Sequence, residues 1–318
     1  MKMQTIDYLR NSPNYAIVSA GDVIMSKKIQ GILALLVATI IWGSTFIAQS
    51  VGMDYIGPFT FLTMRAVLAV PFLIVLIFLI ERNPSETIKK WSNPKLWKAG
   101  FVCGISLFVA AGLQQVGIIH TTAGKAGFIT AMYILLVPVL GMFLGKKPPI
   151  TVWISVALAV AGLYFLSCVG VSQVNIGDLY LLGCAFTYSI QITLVDRYGP
   201  GLDGLRLNCV QSLVCGLFAA IFMFCTEEPV LANILACWTS IAYAGILSMG
   251  IAFSLQIIGQ KYVEPTPASL IMSLESVFAV LCGWLLLNER MSKFEITGCV
   301  LVFIAVILSQ IPVKKSHD

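Results

Sequence analysis

The sequence predicts an all-α polytopic membrane protein of ten transmembrane helices in two related halves of five. Of its 318 residues, 58% are hydrophobic and only 11% charged, with a mean hydropathy of +0.91, whereas soluble globular chains carry about 25% charged residues. No water-soluble surface can be built from so little charge. Long apolar runs follow one another along the chain, each near the roughly 20 residues needed to cross a bilayer core. The basic residues gather on one side of these runs, as membrane topology requires.

The runs lie at 29–51, 59–80, 96–117, 122–144, 150–169, 177–195, 205–225, 233–258, 267–287 and 294–311. Turn and polar signals separate them, from Asp54 to Pro58, Lys146 to Pro149, Arg197 to Arg206, Lys261 to Pro267 and Asn288 to Lys293. The longest linker, Glu81 to Lys95, joins spans two and three. Ten crossings leave no room for a soluble catalytic domain. The expected organisation is a polar N-terminal segment (1–28), a first half (29–169), a second half (170–311) and a short tail (312–318). The N-terminal segment lacks the apolar core of about 7–15 residues that marks a secretory signal. Met25-Ser-Lys-Lys stands directly before the first span, and translation from Met25 would leave residues 1–24 upstream of the protein.

With the N-terminus in the cytoplasm, only Lys125, Arg290 and Lys293 of the 20 basic residues lie outside, and Arg65 falls within span two. The positive-inside rule therefore places both termini in the cytoplasm of a protein of the inner or plasma membrane. The net charge of +5 reports topology and does not call for nucleic acid. The end of each half carries a similar pattern: Gln114-Gln115, a turn and a span ending at Gly145-Lys146-Lys147 parallel Gln256, a turn and a span ending at Asn288-Glu289-Arg290. Five crossings are an odd number, so a second copy of the first half sits upside down in the membrane.

Four segments in order, IWGSTFIAQSVGMDYIGPFTFLTMRAVLA (41–69), LQQVGIIHTTAGKAGFITAMYILLVPVLG (113–141), GDLYLLGCAFTYSIQI (177–192) and IMSLESVFAVLCGWLLLNERMSKFEITG (271–298), resemble the EamA-type transporters of the drug/metabolite transporter superfamily. The resemblance runs from about residue 30 to 311. It implies two inverted five-helix halves around a central cavity lined mainly by helices 1, 3, 4, 6, 8 and 9. It also implies secondary transport by alternating access without ATP hydrolysis, commonly export of amino acids or related metabolites. The family's late motif often reads Glu-Pro-Val; here it is Glu275-Ser276-Val277, so helix nine is expected to lack the kink that Pro138 offers helix four.

Glu275, near the middle of span nine, is the first candidate for substrate binding or coupling, because an ionisable group at that depth costs at least a few kcal/mol unless paired, hydrated or neutralised. The bland alternative is a structural carboxylate that orders helix packing. Lys125 opens span four and shares a helical stripe with Ile129 and Tyr133, a cation above an aromatic that suits a carboxylate-bearing solute, unless its ammonium snorkels to the interface. Arg65 reads as a structural charge, an anchor or a partner of Asp54, ahead of a ligand. Trp42, Thr45 and Gln49 share a face of span one, and Tyr188 and Gln191 a face of span six. Such groups form either interhelical hydrogen bonds or the wall of a small-molecule site. Gln114, Gln115, Asn208, Gln211 and Gln256 are expected nearer the membrane faces.

The expected partners are a small-molecule substrate, the lipid bilayer and protons, with no cofactor. The nine cysteines sit in apolar runs without a CxxC pair and read as small packing residues. His120 and His317 are the only histidines, which argues against zinc or serine–histidine chemistry, and no GxxxxGK[ST] loop is present for ATP. An intramembrane enzyme would need a membrane-embedded histidine or an aspartate pair, and the spans have neither. The alternative on the same scaffold is a lipid flippase or a non-transporting accessory subunit.

Overall fold

Lipid offers no hydrogen bonds to a backbone, so an apolar segment that crosses it must satisfy its own N–H and C=O groups as a helix. The computed structural model describes residues 13–81, 84–121, 123–167, 175–287 and 292–311. Among them, nine helices are long and apolar enough to span a membrane: Ser26–Met53, Pro58–Ile80, Pro94–Ile119, Gly124–Phe143, Ile176–Tyr198, Gly204–Thr226, Trp238–Gln260, Pro265–Cys282 and Lys293–Gln310. A shorter apolar helix, Ile150–Leu166, takes the place of span five. The first helix is longer than its apolar run and begins at Pro13. Span eight starts later than the hydropathy run, because Leu231–Ala236 forms a separate short helix that ends at Cys237.

Proline opens the helices at Pro58, Pro84, Pro94 and Pro265, where its missing N–H would have lacked an intrahelical partner anyway. Spans six and ten begin with reciprocal caps, Asn175 with Asp178 and Ser292 with Glu295. Spans five and ten cross backbone to backbone. A β-carbon built on Gly162 would stand 2.9 Å from the Gly298 carbonyl oxygen, and one on Gly298 would stand 2.6 Å from that of Gly162. Only hydrogen fits at that crossing, the small-residue contact by which helices associate in lipid.

Two expectations about helix continuity are corrected. Span four is interrupted at Ala131 and Met132, dividing Ala123–Thr130 from Tyr133–Phe143, and Pro138 lies inside the second piece rather than at the break. Span nine is interrupted at Ser273, between Pro265–Met272 and Leu274–Leu287, although no proline stands there. At both breaks the hydrogen bonds tighten to three-residue steps: Met132 N to Ile129 O, Ile134 N to Ala131 O, and Ser276 N to Ser273 O. Ser269 and Ser273 turn their hydroxyls back onto carbonyls three residues earlier, and Ser276 donates across to Gly127 O at 2.9 Å.

Spans two and seven run antiparallel and each ends on a glutamate that engages the other's first turn. Glu227 follows span seven and accepts from Phe59 N at 2.8 Å, Thr60 N at 2.7 Å and Thr60 Oγ1 at 2.6 Å, capping span two with a negative charge where its dipole is positive. Glu81 follows span two and takes Arg206, in the first turn of span seven, through both carboxylate oxygens. Lys90 Nζ adds a contact to Glu81 at 2.7 Å, and the Arg206 guanidinium lies 5.6 Å over the Trp91 ring. The Arg206 hydrogen bonds, followed by that of Lys90, hold the Glu81 carboxyl well below the usual carboxylate range.

A depressed carboxylate stabilises the fold while ionised, and that contribution is lost as pH falls through its folded value. The melting temperature of the purified protein should exceed that of Glu81→Gln by a constant margin from neutral pH down to about pH 5 and by a shrinking margin below about pH 4.3. A margin that instead grows on acidification would contradict the clasp.

Candidate functional site

The two halves meet around a small cavity of about 40 Å³, room for about three waters by the volume one water requires. Span one contributes Trp42, Thr45, Phe46 and Gln49; span four, Thr130 and Tyr133; span six, Tyr188 and Ile192; and span nine, Met272 and Glu275. Gln114 from span three and Ser248, Phe253 and Gln256 from span eight close the wall, and span two adds Arg65. Phe253 meets the Trp42 ring edge-to-face at 5.0 Å. Aromatic and aliphatic walls with a few convergent polar groups are the composition of small-molecule sites.

Helix interruptions place the two most polar walls. Tyr133 is the first residue after the break in span four, and Glu275 follows the break in span nine. The Tyr133 hydroxyl donates to Glu275 Oε1 at 3.1 Å. Span one approaches closely because Gly43 lies against span nine, where a β-carbon would stand 2.7 Å from the Glu275 carbonyl oxygen. Glu275 is 6% exposed.

Glutamines pair across the halves in matching fashion. Gln49 Nε2 donates to Gln114 Oε1 at 3.4 Å, and Gln256 Nε2 donates to Gln191 Oε1 at 3.1 Å, each pair separated by 65 residues in sequence. The second pair stands as far along the chain from the first as Glu275 stands from Tyr133, 142 residues. Gln114 also reaches Thr130 Oγ1 at 3.4 Å. Gln114 and Gln256 thus belong to the cavity wall and not to the membrane faces; only their pairing, which sequence spacing already hints at in the parallel of the two half-ends, reveals it.

Arg65 is the other correction. It forms no salt bridge with Asp54 or with any other carboxylate among the described residues; its guanidinium lines the cavity and donates to Ser248 Oγ at 3.2 Å. Ser248 lies in the π-helical stretch Tyr243–Ala252 of span eight, whose wider turn departs from the usual helical spacing. Gly245 lets this stretch approach span two, since a β-carbon there would stand 2.7 Å from the Arg65 carbonyl oxygen. Asn208, fully buried, holds the stretch from span seven by donating to Met249 O at 2.8 Å, Gly250 O at 2.9 Å and Ser254 Oγ at 2.9 Å.

Lys125 is not part of the cavity wall. The break at Ala131 and Met132 ends the stripe expected to join it to Tyr133, and its Nζ lies 2.7 Å from Asp178 Oδ2 at the start of span six. Asp178 at the same time closes the cap with Asn175. Gln191 stands behind the wall through Gln256, while Trp42, Thr45, Gln49, Tyr133, Tyr188 and Glu275 line the cavity together. Cys184 and Cys215 are buried packing residues, and Cys168 lies outside the described residues.

Because the Lys125 and Asp178 side chains are 11% and 8% exposed, removing Lys125 takes the cation away from a buried carboxylate. Lys125→Met should cost about 3 kcal/mol of stability, and Lys125→Met with Asp178→Asn should recover at least half of that in thermal unfolding of the purified protein. Equal destabilisation by the single and double variants would contradict the pairing.

The model of the EamA-like transporter family matches the chain twice, over residues 29–168 and 175–310. An uncharacterized transporter of Archaeoglobus fulgidus is 32% identical over 89% of this chain and 86% of its own length. The uncharacterized transporter YoaV of Bacillus subtilis is 25% identical over 90% and 97%. The uncharacterized inner membrane transporter YedA of Escherichia coli is 24% identical over 86% and 89%. A solved crystal structure superposes with a TM-score of 0.74 over 88% of this chain and 96% of that one at 18% identity, a likeness of fold alone. A multi-pass bundle built around one polar cavity, with both of its halves matched by the same model, this chain belongs to the EamA-like transporter family.

Proposed function

We propose that this membrane transporter is a secondary exporter of a small metabolite, an amino acid or a related compound, working by alternating access without ATP hydrolysis. Its halves, 29–169 and 170–311, act as inverted repeats in the inner membrane with both termini in the cytoplasm. The observation that carries the reading is the cavity between the halves, which gathers Arg65, Glu275 and paired glutamines amid the aromatic rings of Trp42, Tyr133 and Tyr188. Arginine at the depth of a bilayer core costs about 3 kcal/mol on insertion scales, so such groups persist in a span where they serve a pathway or a partner.

The cavity has room for about three waters, and on this reading a larger solute enters when spans on one side part. The breaks in spans four and nine lie beside the Tyr133–Glu275 contact, where backbone already in tightened turns gives the two halves of each span freedom to tilt. Glu275 is suited to exchange a proton or to meet a substrate amine, and Tyr133 to hold its carboxyl between cycles.

Counterflow in proteoliposomes across amino acids, other metabolites and cationic drugs, with and without a pH gradient, tests the reading. The wild type should exchange at least one class of solute. Glu275→Gln, with a normal gel-filtration profile, should slow that exchange by roughly tenfold or more, the effect of losing one charge-assisted hydrogen bond. Undiminished transport by Glu275→Gln removes it from the mechanism, and no movement of any solute by a folded preparation contradicts the transporter assignment.

A further inference from the structure

Arg65 carries a charge that the protein leaves without a counter-ion at hand. Its side chain is 3% exposed, and its single hydrogen bond runs to the neutral Ser248 hydroxyl. The Nε of Arg65 is buried with no protein acceptor, and no carboxylate stands within ion-pair distance among the described residues. A buried guanidinium is sustained by paired, hydrogen-bonded anions. Here the group lines the cavity.

The acid of the same cavity does not fill this role directly. Glu275 belongs to another span and accepts from Tyr133, and it forms no salt bridge with Arg65. Tyr188 lines the same cavity as both. We propose, on the footing of the transport function proposed above, that Arg65 with Ser248 is the anion-recognition pole of the site, and that the transported solute carries a single carboxylate which supplies the missing counter-ion.

The chemistry favours a carboxylate over a phosphate. One guanidinium balances one unit of charge, and its planar fork matches the two oxygens of a carboxylate, whereas a phosphate dianion would leave a second unit of charge unmet, since Arg65 is the one cationic side chain among the described residues that line the cavity. Ser248 reaches Arg65 from the π-helical stretch of span eight, and Asn208 holds that stretch by donating to two of its carbonyls. At the opposite pole, Glu275 faces the part of the solute that carries an amine or a proton. Trp42 and Phe253 enclose the apolar remainder.

The test compares leucine, methionine and phenylalanine with their amides, which lack only the anion, and with aminoalkyl phosphonates of the same carbon chains. Ligand-induced thermal shift of the detergent-purified protein reads binding, and counterflow in proteoliposomes reads transport. Acids should bind and exchange roughly 10- to 100-fold better than amides, the worth of a charge-assisted hydrogen bond, and better than phosphonates. Arg65→Gln should abolish the preference for acids, Arg65→Lys should restore part of it, and Ser248→Ala should weaken it.

Equal responses to acid and amide in the wild type overturn the anion pole whatever the variants do, and so does an unchanged preference in a folded Arg65→Gln. A preference for phosphonate overturns the carboxylate assignment. Discriminating binding without exchange of any solute upholds the anion pole and contradicts the transport function, whereas exchange without discrimination does the reverse. If Arg65→Gln fails to fold, the wild-type comparison and Ser248→Ala decide.

Discussion

Hydrocarbon supplies no hydrogen-bond partner, and from that one constraint most of this structure follows. Backbone groups in the spans are satisfied by helices, and polar side chains must find one another inside the bundle. Gln49 with Gln114, Gln256 with Gln191, and Tyr133 with Glu275 are the result, three contacts that converge on one cavity from six spans. Beside the breaks at Ala131–Met132 and Ser273, Ser276 ties span nine to span four through the Gly127 carbonyl, which also accepts from Ala131 N. Irregular backbone survives at membrane depth only when it is buried in protein or faces such a cavity.

The constraint also separates scaffold from site. The Glu227 and Glu81 contacts tie spans two and seven at opposite ends, and the Gly162–Gly298 crossing binds span five to span ten; all are satisfied within the protein. Lys125 and Asp178 likewise complete each other. Arg65 differs in that its best partner is a neutral hydroxyl, and it differs at the cavity, where a solute can approach. Charge satisfied within the protein maintains shape, and charge left open toward a cavity is available for recognition.

Much of the fold was legible from hydropathy alone, since a span is a local property of about 20 consecutive residues. The shared faces of Trp42, Thr45 and Gln49, and of Glu275 within a span, were legible for the same reason: helical periodicity is local. Three features were not. Lys125 was read along a stripe that the break at Ala131 ends, and its partner Asp178 lies 53 residues away in sequence. Span nine is interrupted at Ser273 without a proline, so the missing Glu-Pro-Val motif misled. Arg65 was assigned toward Asp54 because its true neighbour, Ser248, sits in a π-helical stretch whose register no periodicity of sequence announces. Each miss is a tertiary contact overriding a local pattern.

Alternating access, as proposed, requires the cavity to open to one side of the membrane and then to the other. Thr45, a small residue of the wall that is 2% exposed, offers the most direct measurement. In a cysteine-free background, Thr45→Cys is to be treated with a membrane-impermeant thiol reagent from the inside and, separately, from the outside of sealed vesicles of known orientation. Modification from both sides, slowed from both by a transported solute, is the predicted result. Reaction from one side only under every gradient and solute condition would contradict alternating access through this cavity.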